Sequence, residues 1–123
     1  MTFASQDPAN AVWQRDLSIN YDRIGAVLVA RGQADAGLRA YREGLRIRER
    51  LAAQDPANGA WQRDLSVSYY NLARVHKESG EIAEANELWR LCYQKLKRMR
   101  GANMFLDPSS AQVFEELDGQ FGE

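Results

Sequence analysis

Large apolar residues in the first third of the chain fall at Trp13, Leu17, Tyr21, Ile24 and Leu28, at steps of four, four, three and four. That spacing puts them on one face of an α-helix. The pattern returns 48 residues later as Trp61, Leu65, Tyr69, Leu72 and His76. Gly32 and Gly80 follow these stretches, where a left-handed residue ends a helix at little cost. A second apolar stripe comes after each glycine: Leu38, Tyr41, Leu45 and Leu51 in the first unit, Ala85, Trp89, Cys92, Leu96 and Met99 in the second. Asp35 is the predicted cap of the first of these second helices. No stretch alternates as a strand would. The span from Gly101 to Asp107 reads as a loop, and Pro108 to Leu117 as a short last helix.

The repetition extends to identical letters. Asp7-Pro8-Ala9-Asn10 recurs as Asp55-Pro56-Ala57-Asn58, and the six residues Trp13–Ser18 recur unchanged as Trp61–Ser66. Asp7 and Asp55 are predicted helix caps, with Pro8 and Pro56 at the first helical position, where a missing N–H costs nothing. Phe3-Ala4-Ser5-Gln6 echoes Leu51-Ala52-Ala53-Gln54, and a weaker echo starts at Asp107-Pro108. These echoes divide residues 1–123, one domain, into a repeat at 7–54, a repeat at 55–102, and a partial third repeat or capping helix at 107–118. The repeated hexapeptide reads as a stacking joint rather than as chemistry, since neighbouring units of a repeat need identical joints. Its Trp and Leu share a face, and Arg15 and Asp16 are placed to tie adjacent helices together.

These residues resemble the tetratricopeptide repeat. Its pattern of large, Leu-Gly, large, then Gly, then Ala, aromatic and Ala is filled here by Tyr21, Ile24-Gly25, Leu28, Gly32, Gly37, Tyr41 and Gly44. The second unit fills it with Tyr69, Leu72-Ala73, His76, Gly80, Ala85, Trp89 and Cys92. The family's usual period is about 34 residues. The longer period here is similar to that of kinesin light chains and related bacterial arrays. The resemblance implies an all-α fold of antiparallel helix hairpins stacked as a short right-handed α-solenoid. It also implies a non-enzymatic module for protein–protein interaction.

Composition agrees with such a module. Sixteen Lys and Arg against seventeen Asp and Glu leave a net charge of −1, with no general attraction to nucleic acid or to an anionic membrane. No apolar run reaches the length of a bilayer span, and the first residues do not form a signal peptide. Cys92 is the only cysteine, as expected for a cytoplasmic protein. His76 is the only histidine, which argues against a histidine-rich metal site, and its place on the inward stripe predicts a packed, hydrogen-bonded ring. Cys92, on the second stripe, is predicted to be buried and inert. No catalytic, cofactor or metal residues are assigned. Arg39, Arg42, Arg46 and Arg50 make a basic stripe, and Lys95, Lys97, Arg98 and Arg100 a basic cluster. Interleaved Glu43 and Glu49 make a solvated, salt-bridged face the better reading than RNA binding.

Two surfaces remain as candidates. The resemblance implies that the first helix of each unit lines a concave groove. Stepping off the packed stripe gives Asp22, Arg23, Ala26 and Val29 in the first unit, and Tyr70, Asn71, Arg74 and Lys77 in the second. The second set can grip an extended peptide and its carboxylates. Separately, a stack of two units leaves apolar ends: Trp13, Leu17 and Tyr21 at the start, and Val113, Phe114 and Leu117 near the end. Exposed apolar ends favour a homodimer.

Overall fold

A computed structural model describes residues 8–122. It contains five helices: α1 (Pro8–Ala30), α2 (Ala34–Gln54), α3 (Gly59–Glu78), α4 (Ile82–Gly101) and α5 (Pro108–Phe121). There is no strand among the described residues. The helices pack in chain order, α1 on α2, α2 on α3, α3 on α4 and α4 on α5. The fold is therefore all-α, two helical hairpins and a fifth helix stacked as a helical repeat.

The hairpin turns follow from single residues. Gly32 and Gly80 adopt φ of 82° and 80°. At each, the glycine N–H and the next N–H bond back to the last turn: Gly32 to Val29 and Gln33 to Leu28, then Gly80 to Lys77 and Glu81 to His76. This is the Schellman arrangement that satisfies a helix's last carbonyls. Asn103, with φ of 59°, ends α4 in the same way. Within the first hairpin α1 and α2 lie very close. A Cβ on Gly37 would sit 2.5 Å from Val29 Cγ2, and one on Gly25 would meet the Tyr41 ring at 3.0 Å.

The helix starts differ from the expected caps. Asp55 does not cap α3. Asp55-Pro56-Ala57 forms a turn instead, and Asn58 caps the helix by accepting the Trp61 N–H at 3.0 Å. Asn58 has the extended backbone a cap requires and stands three residues before that donor. Asp35 lies inside the first turn of α2, which starts at Ala34 without a side-chain cap. Asp7 lies outside the described residues. The expected Asp-Pro start does hold at α5, where Asp107 accepts from the Ser110 N–H and hydroxyl. That helix runs on to Phe121, beyond the predicted end at Leu117.

Three apolar clusters form the core. Ala11, Ile47 and Leu51 meet Leu17, Tyr21 and Trp61 at the top of the stack. Leu38, Tyr41, Leu72 and Val75 join α2 to α3. Cys92, Tyr93, Leu96, Met99, Phe114 and Leu117 join α4 to α5. The predicted stripe on α1 is packed only in part: Trp13 and Ile24 are exposed. No described helix lies upstream to cover them, whereas their counterparts on α3 rest against α2.

Candidate functional site

The repeated hexapeptide builds the joint between the units. Arg15, from the first copy, grips Asp64, from the second: Nε donates to Oδ2 at 2.5 Å and an NH2 group to Oδ1 at 3.2 Å. Asp64 is buried, so this forked pair is charge-assisted and geometrically specific. The bond to Asp64 raises the Arg15 pKa further. Each copy's serine bonds its own helix, Ser18 Oγ to the Arg15 carbonyl and Ser66 Oγ to the Arg63 carbonyl. Gln62 donates to the Ala52 carbonyl and accepts from Lys95 Nζ, linking α2, α3 and α4. The expected tie between Arg15 and Asp16 positions is thus made between copies, Arg of one unit to Asp of the next.

A second polar joint was not legible in the pattern. Arg48, buried on α2, donates to Asp22 Oδ2 at 2.6 Å, to Ser18 Oγ at 3.1 Å and to Ser68 Oγ at 2.9 Å. Asn71 adds a 3.4 Å bond to the same Asp22 oxygen. One guanidinium thereby holds α1, α2 and α3. Burial pushes the Asp22 pKa up, and Arg48 offsets part of that rise. Small residues at Ser18 and Ser68 are the only trace of this site in the sequence: they leave room for the guanidinium.

The groove residues separate into two groups. Asp22 accepts from Arg48 and from Asn71, and Val29 packs on the Leu38–Tyr41 cluster. Arg23 and Ala26 are exposed on α1. Tyr70, Arg74 and Lys77 of α3 form a connected surface. Tyr70 meets Trp89 edge to face at 5.2 Å, and the Arg74 guanidinium lies 5.9 Å from the Tyr70 ring. Arg74 also reaches Glu78 at 3.9 Å, a loose contact between exposed groups.

Three solvent-open clefts of about 420, 590 and 250 Å³ run beside this face of α3, and each shares Tyr70 or Arg74 with the next. The largest two are closed on the far side by α5, through Val113 and Glu116. Arg63 enters the first, 3.6 Å from Asp107. The Ser110 hydroxyl holds the Asp107 carboxyl below its usual range. Arg63, Trp89 and Glu116 are groove residues the pattern did not single out. A signal was present: Asp107-Pro108 repeats Asp55-Pro56 52 residues on, and in that frame Glu116 and Leu117 fall where Asp64 and Leu65 fall.

The remaining candidates have structural uses. His76 is buried between Arg42, 3.3 Å from Nε2, and Glu81, 2.8 Å from Nδ1. Cys92 is buried and its thiol is pushed up to about 12, far from the thiolate that nucleophilic chemistry requires. The basic stripe is exposed, with Arg46 paired to Glu43 at 3.0 Å. In the basic cluster Arg100 covers Phe114 at 5.1 Å and Lys97 lies over Tyr93 at 5.7 Å. Of the predicted self-association residues, Phe114 and Leu117 lie on the face of α5 buried against α4, so they are not an open end. Val113, Leu17 and Tyr21 are half-buried and Trp13 is exposed. Among the described residues no three His, Cys, Asp or Glu side chains converge as a metal site, and no helix is long and apolar enough to cross a membrane.

Hairpins stacked through repeated side-chain joints define a helical-repeat protein. The tetratricopeptide repeat family model matches residues 65–103, the body of the α3–α4 hairpin. That matched segment is a tetratricopeptide repeat. No curated protein and no solved structure matches the chain. Repeats of this family generally serve as non-enzymatic scaffolds for protein–protein interaction.

Proposed function

We propose that the chain is a non-enzymatic interaction module whose groove along α3 takes an extended segment of a protein partner. One observation carries the reading: the clefts beside α3 join through Tyr70 and Arg74, so an aromatic ring and exposed cations line one continuous path. Tyr70 and Trp89 offer apolar surface for a side chain, while Arg74 and Lys77 offer charge-assisted bonds to carboxylates. Ala26 and Val29 line the path from α1 and Asn71 lines it from α3, whereas Arg23 and Asp22 lie outside its lining. A cytoplasmic setting is in keeping with a single buried thiol. Fluorescence anisotropy with a library of extended acidic peptides tests the groove. The Arg74→Glu, Lys77→Glu double variant keeps its helicity and melting and binds at least about tenfold more weakly, a loss on the order of 1.4 kcal/mol. Unchanged binding by that variant would move the site off α3.

Self-association is a second reading, favoured by the exposure of Trp13. In that reading the chain forms a homodimer.

A further inference from the structure

We infer that two copies of this chain pair two-fold and antiparallel along the outer face of α1, centred on Asn20. This rests on the self-association reading and replaces its broad apolar ends with one surface.

The two copies of the repeat show what the face is built for. On α3 the stripe Trp61, Asp64, Ser68, Leu72 and Val75 is the joint to the first unit. Leu72 and Val75 are 2% and 4% exposed there, and Asp64 is held by Arg15. The same positions on α1, 48 residues earlier, are Trp13, Asp16, Asn20, Ile24 and Val27. Here Trp13, Ile24 and Val27 are 58%, 50% and 51% exposed, and Asp16 is exposed with no ion pair among the described residues. No described residue covers this stripe. One sequence pattern is thus a packed joint in one copy and an open surface in the other.

Charge decides the occupant. The open stripe needs apolar surface for Trp13, Ile24 and Val27 and a cation for Asp16, as Asp64 has. The downstream end of this chain cannot supply them, because α5 closes it with Phe114 and Leu117. The face itself can. With 3.6 residues per turn, Asp16 and Arg23 lie on the same flank of the stripe, seven residues apart. Antiparallel pairing about Asn20 brings Trp13 level with Val27 of the second copy, and Asp16 level with its Ile24 and beside its Arg23. Each contact occurs twice by symmetry, as a closed two-fold interface requires. Arg23, like Asp16, is exposed and makes no ion pair among the described residues. A single helix face is a small interface, so the dimer forms at micromolar concentration and not below.

Sedimentation velocity of the full chain across the micromolar range, with charge variants and one cross-link, tests the surface. The wild type sediments as a monomer–dimer equilibrium. Asp16→Arg and Arg23→Asp each weaken the dimer about tenfold or more, and the two together restore it. Asn20→Cys gives a disulfide-linked dimer under mild oxidation, while Arg39→Cys, exposed on α2, does not. A monomer at every concentration would overturn both self-association and this surface. A dimer that ignores the charge swap and does not cross-link at position 20 would keep self-association and overturn the α1 interface. Growth into species larger than a dimer would overturn the two-fold arrangement.

Discussion

Replacing Arg48 by Met tests whether the buried guanidinium holds the first three helices together. Methionine keeps most of the aliphatic volume and is a good helix former, so α2 itself is not perturbed. What disappears is the 2.6 Å bond to Asp22 and the donors to Ser18 and Ser68. The Asp22 side chain is only 15% exposed, and Asn71 remains as its one weak donor. Breaking a buried pair by removing one partner costs about 3–5 kcal/mol. Residual water access and Asn71 bring the expectation to the lower end, about 3 kcal/mol near neutral pH. Urea denaturation followed by far-ultraviolet circular dichroism measures it. Adding Asp22→Asn removes the stranded charge, so the double variant is more stable than Arg48→Met alone. The pH dependence has a definite sign. Burial raises the Asp22 pKa above its unfolded value, and losing Arg48 raises it further. The cost of holding the charged form is therefore full above the folded pKa and fades as pH falls through it. The deficit of Arg48→Met relative to wild type shrinks on acidification toward the ordinary carboxylate range. A loss below about 1 kcal/mol at neutral pH, or a deficit that does not shrink with acid, would refute the reasoning, since a penalty of the expected size requires an uncompensated buried charge.

Two further outcomes follow from the same packing. The identical substitutions Trp13→Ala and Trp61→Ala have different costs in denaturant melts performed at concentrations that keep the chain monomeric: about 2 kcal/mol for the half-buried Trp61, and under about 0.5 kcal/mol for the exposed Trp13. Gly37→Ala lowers stability by about 1–3 kcal/mol, although alanine is the better helix former, because its Cβ would press on Val29 and the Gly25 carbonyl; an unchanged or raised melting temperature would show that α1 and α2 can separate freely.

Much of this architecture could be read from periodicity. Apolar steps of three and four, a glycine at the end of each first helix, and a 48-residue echo specify two helical hairpins. These are local signals: helix period and left-handed glycine turns depend on residues close in the chain. The burial of His76 and Cys92 was equally legible, because each sits on an inward stripe. Helix starts were less so. Asp55 and Asn58 are both good caps, and only the docking of α3 against α2 selects Asn58.

What tertiary structure alone decided is which polar groups meet. Arg48 looks like one more arginine on a basic helix, yet it is the buried arginine of α2, because helix α3 brings Ser68 against it. Arg63 and Glu116 face one cleft because α5 packs on α4, and Trp89 reaches the groove from α4 through its contact with Tyr70. The clearest case is the hexapeptide itself: the same six residues lie mostly buried at Trp61–Ser66, while the first copy is open at Trp13 and Asp16. The letters determine a helix and its apolar face. Whether that face is core or surface depends on a neighbour, and burial is a property of the pair, not of the segment.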